Sequence, residues 1–443
     1  MKKLFVLLLG GLLFITITSS CGKRSAESGG ESSKVVEVQF FHTTWVPAML
    51  EILDDAVKQF EDANPGIKIV QTRTNWADAP SQLMASIMGG TPPDLIMANP
   101  GMLAQYRNIG AFADLTGWIS QDFLKNLLPS SIDIITTPDG KIDGMPQEGT
   151  TYTLFYRKDL FEKAGLDPNK PPATWEELVE TGKKLVKDTD EDGIIDQYAY
   201  GWPITAENAS NYWINFMFMA GSEVSTFENN KWISKLDGPE ALQGTQFMVD
   251  LIQTHKITPP NAVEYDWEGL TNAFVSGEVA MMHNGAWVVA SVKQKGPELE
   301  GKWGTTVLFA GPGGPAYRGR PNTFHIMEAS HHKDEAWNFL QYLYNTPSTK
   351  DEGLTIMGSF CKAAGGMLFT HDFVDYARKN YEPIMQPFLD ALEHCKSEPL
   401  DPQWQTLNNL FVQAYVQQMD MGQISPKDGL YFLHTQLEKL HGN

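Results

Sequence analysis

Residues 35–41 read VVEVQFF and residues 94–98 read DLIMA. Both runs are short, apolar or β-branched, and bounded by polar or turn-forming residues, as strands are. Between them, residues 47–63 repeat apolar side chains at Leu50, Leu53, Val57 and Phe60. That spacing is the period of an amphipathic helix, and Asn64-Pro65-Gly66 stops it. Residues 67–72 form a second expected strand, residues 81–88 a second helix, and GGTPP at 89–93 a turn. Strand–helix–strand–helix–strand predicts an α/β fold with a mainly parallel sheet.

A second region of this kind starts near Thr150, where TYTLFYRKDLF runs from a strand into a helix. Thr174-Trp175-Glu176-Glu177 has the spacing of a capping box. Leu178, Leu185 and Val186 mark the buried face of the helix that follows. Further helices are expected at 240–254 and 333–344, with strands at the end of 273–282 and at 305–309. The last part of the chain reads as mostly helical, and no repeat of fixed period occurs.

At 443 residues the chain exceeds one ordinary core, so two or more domains are expected. Its 42% hydrophobic and 11% aromatic content is that of a globular protein. A formal net charge of −20 and the lack of any Lys/Arg-rich run argue against nucleic acid as a partner. No CxxC, HExxH or GxSxG occurs, nor a phosphate-cradling Gly-rich loop with its lysine.

Lys2 and Lys3 precede an apolar stretch at 4–17, and Thr18-Ser19-Ser20 leads to Cys21. The apolar run is short for a membrane-spanning helix. This start resembles a bacterial lipoprotein signal, residues 1–20, in which Cys21 becomes the lipidated first residue. Thr18 stands where the usual pattern has Leu. Residues 21–34 are small and polar, as a flexible tether is. The resemblance implies a chain anchored by lipid to the cell membrane, facing the periplasm or the exterior. Cys361 and Cys395 remain, and they allow either a disulfide or two separate thiols.

DTDEDGIID at 188–196 spaces Asp188, Asp190 and Asp192 alternately, followed by Gly193, Ile194 and Asp196. An EF-hand-like loop takes ligands at its first, third, fifth, seventh (a carbonyl) and ninth positions, with Gly at the sixth. The twelfth position, usually a bidentate Glu, is Ala199. The loop reads as a structural calcium site or as a solvated acidic turn.

DGKIDGMPQEGTTYTLFYRKDLFEKAGLDPNKPPATWEELVETGKKL at 139–185 resembles the extracellular solute-binding proteins of ABC importers, the maltose-binding-protein-like family that carries sugars and oligosaccharides. FEDANPGIKIV (60–70), GGTPPDLIM (89–97), FVSGEVAMMHNGAW (274–287) and WGTTVLFAGPGG (303–314) resemble further family segments, in the family's order. The resemblance implies a class II, two-lobed fold, each lobe a sheet flanked by helices, with the ligand in a cleft at the hinge. It implies closure on the ligand, docking on a membrane permease, no catalysis, and a monomer. Residues 35–147 and 309–357 are expected in lobe 1. Residues 148–308 and the helical part 358–443 are expected in lobe 2. Passages between lobes are expected at 147–150, 309–311 and 357–360.

A sugar presents apolar C–H faces and hydroxyl rims, so its site needs aromatic platforms and polar edge groups. The chain has 12 Trp and 14 Tyr. Ligands of α/β lobes bind beyond the carboxyl ends of strands. That rule selects His42, Thr44 and Trp45 after the first strand, Trp76 after the second, and Asn99 after DLIMA. The resemblance adds Thr150 and Tyr152 at the hinge, Trp202 and Trp213 around TAENASN, Trp404, and above all Trp287, at a position where the family commonly stacks sugar. The competing classes are a secreted carbohydrate-active enzyme, which needs a carboxylate pair across the cleft, a calcium-dependent adhesin, and a binding protein for a non-sugar solute.

Overall fold

The computed structural model describes residues 35–44, 46–76, 78–397 and 400–442, without the side chains of residues 206–208 and 320. The expected signal, Cys21, the tether and Trp45 lie outside the described residues.

Two sheets organise the body. The first contains β1 (Val36–His42), β2 (Ile67–Arg73), β3 (Leu95–Ala98) and β4 (Met145–Thr150). The second contains β5 (Tyr152–Arg157) and β6 (Tyr198–Gly201). A separate hairpin is made by β7 (Ser225–Glu228) and β8 (Lys231–Ser234). β9 (Val279–Gly285) and β10 (Trp303–Thr306) complete the second sheet. β11 (Tyr317–Arg318) later pairs with β14 (Cys395–Lys396). β12 (Arg320–Ile326) and β13 (Met367–Leu368) return to the first sheet. The orders are β13-β4-β12-β3-β1-β2 and β10-β5-β9-β6.

The sheets are mixed, not mainly parallel. β1 pairs parallel with β2 and β3, but β12 runs antiparallel between β3 and β4. In the second sheet only β6 and β9 are parallel. The N-terminal units dictate their own parallel pairing through their helical crossovers. The later strands arrive from distant sequence and fill the remaining edges.

The helix Pro47–Ala63 carries Pro at its first position, where the missing N–H costs nothing. Its buried face holds Leu53, Val57 and Phe60 as expected, but Met49 and Ile52 replace Leu50 there. Thr174 Oγ1 accepts from Glu177 N and caps the helix Trp175–Leu185 as predicted, while Glu177 Oε2 accepts from Ala173 N, one residue before the N–H a capping box uses.

Passages between the sheets differ from expectation. β4 stays in the first sheet to Thr150, so the first passage is at Thr151, beyond the expected boundary at 147. Bonds from Ala310 N to Ala173 O and Gly313 N to Met219 O tie 310–313 to second-sheet elements, and the return is complete only at β12. The expected passage at 357–360 falls inside the helix Ile356–Ala363, which packs on Pro47–Ala63. β13 then pairs with β4 in the first sheet. The last departure therefore follows Leu368, and the helix Gln386–Ala391 lies against β5.

Each sheet has a buried arginine brace. Arg107 Nε and Nη2 donate to both oxygens of Asp143 at 2.6 and 2.7 Å, and Nη2 also donates to Ile134 O. Arg157 donates to both oxygens of Asp159 and to Phe274 O and Val275 O.

Candidate functional site

The carboxyl ends of the first-sheet strands carry polar residues. His42 ends β1, fully buried, with Nε2 3.1 Å from Gln71 Oε1. Burial, helped by the nearby Arg73 charge, lowers its pKa to about 4, so the ring is neutral at pH 7. Thr44 is also buried, and its Oγ1 has no hydrogen-bond partner among the described residues. Asn99 follows β3 and caps the helix Pro100–Asn108, Oδ1 accepting from Met102 N at 3.1 Å. Trp76 is half-buried against the core.

At the first passage, Thr150 Oγ1 donates to Thr151 O, and Thr151 Oγ1 donates to Phe388 O. Tyr152 starts β5 and is nearly buried. Its hydroxyl accepts from Arg318 Nη1 at 2.8 Å. The rings of Tyr212, His283 and Trp287 meet Tyr152 edge to face, with centroids 5.5 to 5.8 Å away. Tyr212 OH donates to Asn284 Oδ1 at 3.3 Å. An aromatic floor with hydroxyl and guanidinium edges therefore stands where β5 begins and β9 ends.

Trp287 follows β9 directly and precedes the helix Val288–Lys295. It is half-buried and lines a cavity of about 540 Å³ with Val46, Lys293, Lys362, Tyr381 and Met385. Val46 caps one helix and Lys362 belongs to another on the first sheet's side, and Trp287 caps and Lys293 belongs to a helix of the second. The cavity thus lies between the two halves. It offers an indole face, apolar walls and charged rims.

Other expected positions lie apart from it. Trp202 is fully buried against Tyr200 and Phe216, and Trp213 is fully buried with Nε1 donating to Thr245 Oγ1 at 2.8 Å. Both are core residues. Trp404 is buried on the short helix Trp404–Leu407, which touches the helix Pro100–Asn108 across the halves. Tyr212 and Tyr381 were not anticipated. Tyr212 adjoins Trp213 in an apolar helical run, and only its turn of helix separates floor from core.

In the acidic loop, Asp188, Asp190 and Asp196 bring carboxylate oxygens within 4.8 Å of one another. Asp188 accepts from Gly193 N at 2.7 Å, which holds its pKa below the ordinary carboxylate value. Gly193 has φ +92°, the left-handed conformation that glycine adopts at no steric cost. Asp192 is turned aside and accepts from Ile194 N at 2.8 Å. The converging oxygens are hard ligands suited to a divalent cation. Cys361 and Cys395 are free thiols, and burial raises the pKa of both.

Two halves, mixed sheets and an interlobe aromatic cavity define a binding protein of the two-lobed α/β class. The family model for bacterial extracellular solute-binding proteins matches residues 47–350, and the chain belongs to that family. A maltotriose-binding protein of Pyrococcus abyssi is 22% identical over 80% of this chain and 72% of its own length. A lactose-binding protein of Rhizobium radiobacter is 26% identical over 68% and 69%. Among solved structures, the sugar-binding protein MalE of Xanthomonas citri superposes with TM-score 0.77 at 19% identity, covering 92% of this chain and 98% of that one. Maltose-bound MalE3 of T. maritima gives 0.72 at 25%, covering 92% and 100%. The family is one of binding proteins, which decides against the carbohydrate-active enzyme. Among the described residues no helix is long and apolar enough to cross a membrane.

Proposed function

We propose that this chain is the capture component of an ABC importer and that it takes a sugar or oligosaccharide into the cavity between its halves. The observation that carries this reading is Trp287, half-buried on that cavity and set edge-on against Tyr152. An indole presented in this way is a platform for a sugar's C–H face, and the surrounding polar groups orient hydroxyls. Trp76, Thr150, Thr44 and His42, at or after the carboxyl ends of first-sheet strands, are assigned to the same ligand. The loaded, closed form delivers its sugar to a membrane permease. The protein acts as a monomer, tethered by lipid on Cys21 outside the cell membrane. Asp188, Asp190 and Asp196, with the Ile194 carbonyl, hold a structural calcium ion remote from the cavity.

Calorimetric titration of residues 22–443 with a panel of mono- and oligosaccharides tests the capture reading. Saturable binding of one sugar class, with the sugar recovered unchanged, is the expected result. Silence across the panel, with a glycerol phosphate ester bound instead, would move the assignment to a non-sugar solute.

A further inference from the structure

The helix Pro100–Asn108 belongs to the first half, where Tyr106 OH donates to Pro80 O and Arg107 grips Asp143. The helix Trp404–Leu407 belongs to the second. Its neighbour Gln417 donates to Ile204 O, and Asp401 Oδ2 lies 2.8 Å from His441 Nε2 in the C-terminal helix. The two helices meet at Gly101 and Gln405. A Cβ built on Gly101 would stand 2.5 Å from Gln405 Oε1 and 3.6 Å from its Cδ, so the amide lies directly on the glycine.

The amide is oriented. Gln405 Nε2 donates to Asn409 Oδ1 at 2.7 Å, which turns Oε1 toward Gly101. Gly101 is in the first turn of its helix, where backbone N–H groups lack intrahelical partners and the helix is partially positive. An amide oxygen is the end that this turn attracts. Asn409 is the second residue of the short π-helical stretch Asn408–Val412, a departure from α geometry that ends the helix after Leu407 and keeps Gln405 and Asn409 on one side.

We propose that Gln405, held by Asn409, is an interlobe latch: it closes on the first turn of the helix Pro100–Asn108 and stabilises the closed form without touching the sugar. This rests on the capture reading. A residue that acts only on the open–closed equilibrium changes the competent fraction, and so scales the affinity for every ligand by one factor. A residue in contact with sugar changes the ranking of ligands.

The test uses the mature chain with Gln405→Ala, Gly101→Ala and the conservative Gln405→Glu. Affinity is measured for several sugars, and small-angle scattering reports compaction with and without them. Gln405→Ala and Gly101→Ala are expected to weaken every sugar by the same factor, about three- to tenfold, and to lower the closed fraction. Gln405→Glu keeps an oxygen at the helix start and is expected to retain closure. Unequal losses among sugars, or unchanged compaction in both the Gln405→Ala and Gly101→Ala proteins, would overturn the latch. If the parent protein binds no sugar, the capture reading fails by itself. The scattering comparison of ligand-free parent and Gln405→Ala proteins still decides the latch.

Discussion

The indole of Trp287 lies back over the Cα of Gly285: a Cβ built on Gly285 would sit 2.0 Å from Cζ3 and 2.2 Å from Cη2. The ring's plane is therefore set by the absence of a side chain two residues earlier, together with the Tyr152 edge. Gly285→Ala must swing the indole off its seat. It is expected to weaken sugar binding by about tenfold, close to the loss in Trp287→Ala, because a misplaced platform gives up its stacking. Calorimetry on both variants checks this, and Gly285→Ala binding as tightly as the parent would refute the seat.

Two tryptophans should separate cleanly by spectroscopy. Trp287→Phe is expected to abolish most of the sugar-dependent change in fluorescence. Trp213→Phe should keep that change but lower stability by about 1–3 kcal/mol, since Thr245 loses its buried donor. A fluorescence titration and a denaturant melt on each variant distinguish the roles.

Asp143→Ala removes one side of the buried bidentate pair with Arg107 and leaves a guanidinium beneath the first sheet. The expected cost is about 3–5 kcal/mol. Urea midpoints measure it, and a loss below 1 kcal/mol would show that the brace is not structural.

His283 is fully buried, with neither ring nitrogen hydrogen-bonded among the described residues, and burial lowers its pKa from 6.5 to about 3. The unfolded chain binds this proton near pH 6.5 and the folded chain does not. Its contribution is therefore complete above pH 6.5 and falls by about 1.4 kcal/mol per pH unit on acidification toward pH 3. His42 and His325, each lowered to about 4 mainly by burial, act in the same direction. Unfolding free energies at pH 7.5 and 5 should differ accordingly, and less so in His283→Phe. An unaltered slope in that variant would mean that the ring is protonated in the fold.

The acidic loop gives a metal-dependent expectation. Calcium should raise the melting temperature and chelator lower it, and Asp190→Asn should blunt both effects by removing one of the three converging carboxylates. A melting curve identical with calcium and with chelator would leave the loop as a solvated turn.

The first strands were legible because alternation and a Pro-Gly stop leave few other readings for residues 36–73. The sequence reading made 357–360 a passage between lobes, whereas the structure makes it part of the helix Ile356–Ala363 on the first half. Periodicity tells that Ile356, Met357 and Phe360 are buried and is silent about which sheet buries them. The same limit governs the tryptophans. Trp287, Trp202 and Trp213 were all selected through the family resemblance, and the structure sets Trp287 on the interlobe cavity but Trp202 and Trp213 in the core. Tyr212 and Tyr381 reach the site through tertiary packing that no local spacing announces.

The position of β12 has a consequence for how the chain comes into being. Thr323 pairs with Ala98 across 225 residues, and the strand lies between β3 and β4, so until then β3 keeps one open edge and β4 has no strand partner. A nascent chain halted near residue 310 would have β1–β3 and β4 as separate pieces with open edges. Such edges are sticky, and contacts this distant form slowly. Synthesis from the N-terminus therefore cannot finish one half before starting the next. Neither half is complete until late: the first awaits β12 and β13, and the second awaits the segments that follow Leu368, among them the helices Gln386–Ala391 and Pro426–His441.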